Sequence, residues 1–311
     1  MKVLITGGAG FIGSHIVEEL LNKKYEIVVV DNLVTGFFDN LPKEAKFYRM
    51  DLDDTEFEYV FEQERPDYVI HLAAQASVTA SMKNPYLDFL TNTVGTVKTM
   101  LLSKKYKVKK FIFASTAAVY GEPSHFPIDE RHLIDPQSFY SLSKHSAENY
   151  IKLIDTSSGI DSCILRFSNV YGPRQNTNGE AGVISIFINQ LLANESIKIF
   201  GGSQTRDFIY VKDVAVACRL AMEGEHTGTF NISSCTETVI NELYRLISEI
   251  IGERKTPVYE SKRNGEIEKS ILDNQKACRE LGWILHYSLS EGLKETVEYY
   301  SKKYLTLGLQ R

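Results

Sequence analysis

Tyr140 and Lys144 stand four positions apart in Tyr140-Ser141-Leu142-Ser143-Lys144. The apolar spacing of Tyr140–Ser157 predicts a helix, and on a helix that separation puts both side chains on one face. An ammonium beside a phenol favours the phenolate and lowers a tyrosine pKa from about 10. The tyrosine then becomes a usable proton acceptor near neutral pH. Alone, such a pair is common on exposed helices, but two other features give it chemical meaning. Ser115-Thr116 closes an apolar strand, Lys110–Ser115, where a hydroxyl faces the strand-end crevice and can share a substrate proton with Tyr140. Near the start of the chain, the strand Lys2–Thr6 runs into Gly7-Gly8-Ala9-Gly10-Phe11-Ile12-Gly13, with helical spacing from Ile12 to Asn22.

Strand, glycine turn and helix N-terminus together form a dinucleotide site. The glycines let backbone N–H groups approach a pyrophosphate, whose charge the helix dipole favours. The second strand, Glu26–Asp31, ends in an acid about 20 residues beyond the glycines, the expected separation. A carboxylate there accepts hydrogen bonds from ribose hydroxyls and repels a 2′-phosphate, which favours NAD over NADP. Asp51-Leu52 follows the third strand, Lys46–Tyr48. Asp51 is placed either to touch the adenine or to cap a helix over Asp54–Gln63.

Those residues need a scaffold. Strands at Lys2–Thr6, Glu26–Asp31, Lys46–Tyr48, Tyr68–Leu72, Lys110–Ser115 and Ser162–Phe167 alternate with helical patterns at Ile12–Asn22, Thr55–Glu64, Pro85–Lys104 and Tyr140–Ser157. Alternating apolar strands and helices imply an α/β fold, a doubly wound parallel sheet of the Rossmann type. Ligands bind such sheets at the carboxyl ends of their strands. After about Tyr171 the rhythm changes. Gly172, Pro173, Gly179 and Gly182 open a loop-rich stretch. It is followed by helical patterns at Ser185–Ala193, Val211–Glu223, Ile240–Ile251 and Leu289–Tyr304, and short strands at Ile197–Phe200 and Phe230–Ile232. The expected organisation is a dinucleotide-binding domain over 1–171 and a smaller C-terminal α/β substrate lobe over 172–311, with later segments returning to the main sheet.

Composition excludes several classes. Of 311 residues, 43% are apolar and 24% charged, which is ordinary globular stock. The net charge of −5 argues against a nucleic-acid partner. The basic run Lys104, Lys105, Lys107, Lys109, Lys110 reads as a solvated helix end. Cys163, Cys218, Cys235 and Cys278 lie far apart without metal spacing, as expected of reduced thiols in a cytoplasmic protein. No signal-peptide pattern and no apolar run of about 20 residues is present, so no membrane partner is expected.

The chain resembles the extended short-chain dehydrogenases that act on nucleotide sugars, and among them the UDP-glucose 4-epimerases. The matching pieces are TGGAGFIGSH from Thr6, VVDNL from Val29, HLAAQ from His71, FASTAAVYG from Phe113, YSLSK from Tyr140, LRFSNVYGPRQ from Leu165, RDFIYVKDV from Arg206 and RNGEIEKS from Arg263 through LGW at Leu281. The resemblance implies catalytic roles for Thr116, Tyr140 and Lys144. It implies NAD contacts from Gly7, Gly10, Phe11, Ile12, Gly13, Asp31, Asn32, Asp51, Leu52, Leu72, Ala73, Ala74, Asn92, Ser115, Tyr140, Lys144 and Phe167. It places UDP-sugar contacts on Thr116, Tyr140, Asn169, Phe200, Arg206, Arg263 and Ser270. Two arginines suit a diphosphate, and Phe200 a uracil ring. His71 is expected to be structural.

Related dehydratases place Asp-Glu after the catalytic Thr, and decarboxylases place a Glu one residue further on. Here Ala117 and Ala118 stand there, and a methyl group offers no acid or base. The resemblance therefore points to 4-epimerisation. Small Ser270 is expected to admit an N-acetyl group, while Arg174 leaves a uronate substrate open. The family's dimers use helices equivalent to Pro85–Lys104 and Tyr140–Ser157, so a homodimer is expected.

Overall fold

The computed structural model describes residues 1–176, 182–253, 255–262 and 267–306. Its strands are β1 (Lys2–Thr6), β2 (Glu26–Asp31), β3 (Lys46–Arg49), β4 (Tyr68–His71), β5 (Lys110–Thr116), β6 (Asp161–Phe167), β7 (Asn169–Tyr171), β8 (Lys198–Phe200), β9 (Thr205–Tyr210), β10 (Gly228–Ile232), β11 (Glu237–Val239) and β12 (Val258–Glu260). The helices are α1 (Phe11–Asn22), α2 (Phe57–Glu64), α3 (Val78–Lys83), α4 (Pro85–Phe89), α5 (Gly95–Lys105), α6 (Phe139–Ser158), α7 (Val183–Leu192), α8 (Val211–Glu223), α9 (Ile240–Ile251), α10 (Gln275–Leu281) and α11 (Leu289–Thr306).

Seven parallel strands form the central sheet in the order β10-β6-β5-β4-β1-β2-β3. The strands are continuous apolar runs because both faces are covered. Val3 and Ile5 of β1 point into one core, with Ile16, Val17 and Leu20 of α1 and Val214, Ala217 and Cys218 of α8. Leu4 points into the other, with Phe57, Phe61, Met100, Ala147 and Ile151. This alternation is the period-two geometry of a strand. The chain winds outward from β1 towards β3, then returns to β4 beside β1. The crevice at the carboxyl ends of β1 and β4 is therefore the switch point where such sheets bind ligands.

The seventh strand, β10, comes from the second half of the chain and pairs with β6 along Gly228–Ile232. Its arrival changes the reading of Lys110. That residue is not part of a solvated basic run: it is 3% exposed, and its ammonium donates to Gly224 O and His226 O, both at 2.6 Å. These carbonyls precede β10, and only the folded chain brings them to the start of β5.

A separate core unites α7, α9 and α11 around Phe187, Leu191, Leu243, Ile247 and Val297. With it go a three-stranded sheet, β11-β9-β7, and a two-stranded pair, β12-β8. Trp283, wholly buried, donates its indole N–H to Asp213 O at 3.0 Å and so fastens the segment after α10 to α8.

The helix expected over Pro85–Lys104 forms without a break, but its pitch widens within it. A π-helical turn at Leu90–Val94 separates α4 from α5. Single π turns inside helices mark functional sites, and this one carries Asn92, whose side chain bonds outside the helix. Among the described residues, no helix is long and apolar enough to cross a membrane.

Candidate active site

The glycine turn has little room. Gly7 sits at φ +72°, and a Cβ on it would lie 2.7 Å from Ala73 N. A Cβ on Gly13 would lie 2.2 Å from Gly7 O, whereas on Gly10 the approach to the same oxygen is 3.2 Å. Glycine is required where backbone meets backbone this closely. Helix α1 begins at Phe11 with no side-chain cap on its N-terminus, so its first N–H groups are open to an anion. Asp31 ends β2 buried against this turn. Its Oδ2 accepts from Ala9 N–H at 3.0 Å and its Oδ1 from Leu33 N–H at 2.8 Å. Burial pushes its carboxyl up, and the two N–H donors oppose this. The acid expected to meet a ribose thus also braces the glycine turn.

Asn32 donates to Asp51 Oδ2 at 2.8 Å, joining the ends of β2 and β3. Asp51 Oδ1 accepts from Leu52 N–H at 2.7 Å. Asp51 does not cap the following helix, which starts at Phe57; that alternative reading fails because a turn intervenes. Leu52 is buried under the sheet. Leu72, Ala73 and Ala74 leave β4 half-buried above the glycines, and Ala73 N–H donates to Thr6 Oγ1 at 3.3 Å. His71 is wholly enclosed between Thr6 Oγ1 at 2.6 Å and Thr96 Oγ1 at 3.0 Å. Burial, with Lys144 nearby, lowers its pKa to about 3, so it stays neutral. The glycine cradle, uncapped helix and terminal carboxylate fit a dinucleotide.

Thr116 ends β5 and accepts from Ala118 N–H at 3.1 Å, capping a 3-10 turn over Ala117–Tyr120. Helix α6 begins beside it. Ser138 and Ser141 exchange side-chain and backbone hydrogen bonds as a capping box, which fixes the helix start and with it half-buried Tyr140. One turn on, Lys144 is 3% exposed, with its ammonium 4.3 Å from the Phe113 ring centroid. Burial pulls its pKa down to about 7, while the carboxylates of Glu148 and Asp88 pull it up.

Sequence reasoning missed Glu148, a further turn along α6. It is wholly buried, accepts from Ser115 Oγ at 2.6 Å, and is gripped by Arg166 through Nε at 2.9 Å and Nη2 at 2.6 Å. Burial raises its carboxyl, but the Arg166 bonds prevail and hold its pKa at about 2. Ser115, expected to point at the cofactor, donates its hydroxyl to this pair. The signal was available: Tyr140, Lys144 and Glu148 share one spacing.

A cavity of about 660 Å³ opens at the strand ends. Phe11, Ile12, Ser115, Thr116, Tyr140, Phe167, Asn169, Phe200 and Arg206 line it. Residues from the glycine helix, β5, α6, β6, β7, β8 and β9 thus meet in one space. Asn169 donates to Asp207 O at 3.1 Å. Arg206 Nη1 donates to Thr205 O and Ile267 O, both at 2.8 Å. Ser270 is half-buried in the segment following Ile267 and is not among the residues lining the cavity. Arg263 lies outside the described residues. Arg174 turns away at φ +68° and pairs with Glu18 on α1, outside the cavity. Gln190 and Gln204, which also line the space, carried no sequence signal. Among the described residues, no cluster of acidic, histidine or cysteine side chains is suited to a metal.

The NAD dependent epimerase/dehydratase family model matches residues 3–233. The chain is 36% identical over 311 residues to the UDP-glucose 4-epimerase of Mycolicibacterium smegmatis, covering 97% of this chain and 99% of that one. It resembles the crystal structure of UDP-glucose 4-epimerase with UDP-glucose from Thermotoga maritima, with a TM-score of 0.95, 46% identity, and coverage of 97% and 99%. It also resembles UDP-N-acetylglucosamine 4-epimerase from Methanobrevibacter ruminantium in complex with UDP-N-acetylmuramic acid, with a TM-score of 0.93, 36% identity, and coverage of 97% and 98%. With its glycine cradle, Tyr140 and Lys144 one turn apart on α6, and these similarities along almost its whole length, the chain belongs to the NAD-dependent epimerase/dehydratase family.

Proposed function

We propose that this protein interconverts UDP-sugars epimeric at C4′, through a 4-keto intermediate, with NAD as a retained cofactor. The observation carrying this reading is that Tyr140 and Thr116 face the same cavity as Asn169, Phe200 and Arg206, while Ala117 and Ala118 leave no acid or base after Thr116.

Gly7, Gly10 and Gly13, with the N-terminus of α1, hold the pyrophosphate, and Asp31 accepts from the adenosine ribose. Asn32, Asp51, Leu52, Leu72, Ala73, Ala74, Asn92 and Phe167 shape the rest of that groove. Bound NAD supplies a hydride acceptor and, once reduced, the donor for the return. Tyr140 takes the proton of the sugar 4′-hydroxyl, assisted by the ammonium of Lys144 and a hydrogen bond from Thr116. Arg206, with Arg263, holds the diphosphate, and Phe200 stacks on the uracil. The nucleotide is anchored while the sugar stays loosely held. The flat keto ring can therefore turn over and present its opposite face for hydride return at C4′, and Tyr140 gives its proton back to the 4′-oxygen.

UDP-GlcNAc and UDP-GalNAc are substrates as well as UDP-Glc and UDP-Gal. The similarity to a UDP-N-acetylglucosamine 4-epimerase supports this. A homodimer completes the reading. Met82, Tyr86 and Leu87 on the α3–α4 side and Leu142, Tyr150 and Leu153 on α6 are exposed apolar side chains, on helices packed against one another. Apolar surface concentrated in this way marks an interface.

The test is to incubate purified protein separately with UDP-Glc, UDP-GlcNAc and UDP-glucuronate, without added cofactor, and follow products by NMR. The 4-epimers of the first two are expected. A 4-keto or decarboxylated product, or none, overturns the reading.

A further inference from the structure

Asp88 lies on α4 and is 1% exposed. Its Oδ1 accepts from Gln75 Nε2 at 2.8 Å and from Asn92 Nδ2 at 3.0 Å. Its Oδ2 is buried and has no hydrogen-bond partner among the described residues. A carboxylate buried in this way is costly unless an opposite charge compensates it. Two cations are buried near the site. Arg166 is already matched, because it grips both oxygens of Glu148. Lys144 is not: its described contact is the face of Phe113. Asp88 is tied to the helix that carries Lys144: α4 packs on α6, and Asn92 Nδ2, which donates to Asp88 Oδ1 at 3.0 Å, also donates at 3.2 Å to Oγ of Ser143, the residue before Lys144. The other titratable groups around the ammonium are Glu148 and Tyr140 on its own helix and His71 on β4, and His71 is neutral.

We propose that Asp88 is a positioning residue for the reaction: its half-partnered buried carboxylate adds to Glu148 the negative charge that keeps Lys144 an ammonium beside Tyr140. The inference rests on the reading of Lys144 as the partner of Tyr140 in proton transfer. Burial has already brought the lysine to the edge of deprotonation near neutrality. The loss of one nearby negative charge therefore releases its proton within the working pH range. The charge is separable from the hydrogen-bonded frame, since an asparagine carbonyl at position 88 still accepts from Gln75 and Asn92.

The experiment compares holoenzymes of wild type and Asp88→Asn, matched for bound NAD, by the pH dependence of kcat/KM. Without Asp88, Lys144 deprotonates at lower pH, so the alkaline limb is expected to move down by about one pH unit. A uniform fall in activity with the limb in place overturns the proposal. If Asp88→Asn does not fold, Asp88→Glu decides. A folded enzyme with the wild-type limb supports the role of the charge, and failure of both variants to fold makes Asp88 a structural member and overturns it. Lys144→Ala separates the two readings: undiminished turnover in that variant removes the role of Lys144 itself, whatever Asp88 does.

Discussion

The side chain of Asn92 takes hold of both backbone polar groups of Gln75: its Oδ1 accepts from Gln75 N–H at 2.8 Å and its Nδ2 donates to Gln75 O at 2.9 Å. Asn92 is wholly buried in the π turn between α4 and α5. It thereby pins the loop after β4 that carries Leu72, Ala73 and Ala74. Truncation to alanine leaves two half-buried backbone groups unmatched, at about 1–3 kcal/mol each. Asn92→Ala should lower the urea midpoint and weaken NAD retention together. Unchanged retention in a destabilised variant would confine Asn92 to the scaffold.

Tyr140→Phe removes the hydroxyl but keeps the ring in the cavity wall. Turnover should fall by about 10²–10⁴-fold, the usual size of a general acid–base contribution, with bound NAD and thermal stability close to wild type. A loss smaller than tenfold would move the proton-transfer role elsewhere.

Two glycines of the turn should behave differently. A methyl at Gly13 meets the Gly7 carbonyl at 2.2 Å, and one at Gly10 meets it at 3.2 Å. Gly13→Ala should purify without NAD, as read from the ratio of absorbance at 260 and 280 nm, while Gly10→Ala retains part of it. Equal retention by both variants would count against the tight-turn argument.

Acid should weaken the fold through two buried histidines. His71, at about 3, and His15, also lowered by burial to about 4, are neutral in the folded protein and take up protons when unfolded near 6.5. The unfolded chain binds more protons below that pH. The contribution of each is therefore fully present above about 6.5 and is lost as pH falls through the folded value, at up to about 1.4 kcal/mol per unit for one proton. Unfolding free energy measured between pH 7 and 5 should decline in the wild type and decline less steeply in His71→Gln. Parallel slopes would show that His71 is not the source.

Much of this protein could be read before its structure. The alternation of strands and helices along the first half gave the parallel sheet, because a strand covered on both faces must be apolar throughout. The glycine turn, Asp31, Thr116, Tyr140 and Lys144 were legible because local spacing governs each: a turn too tight for Cβ atoms, a strand end, one helix face. Tertiary structure decided what depends on distant segments meeting. It placed Lys110 under carbonyls that precede β10, put a π turn at Asn92 into the helix expected over Pro85–Lys104, and turned Arg174 towards Glu18. It also set Glu148 against Arg166, and Asp88 against Gln75 and Asn92. Buried charge and backbone satisfaction are settled between residues far apart in the chain. A periodicity read along one segment contains no term for them.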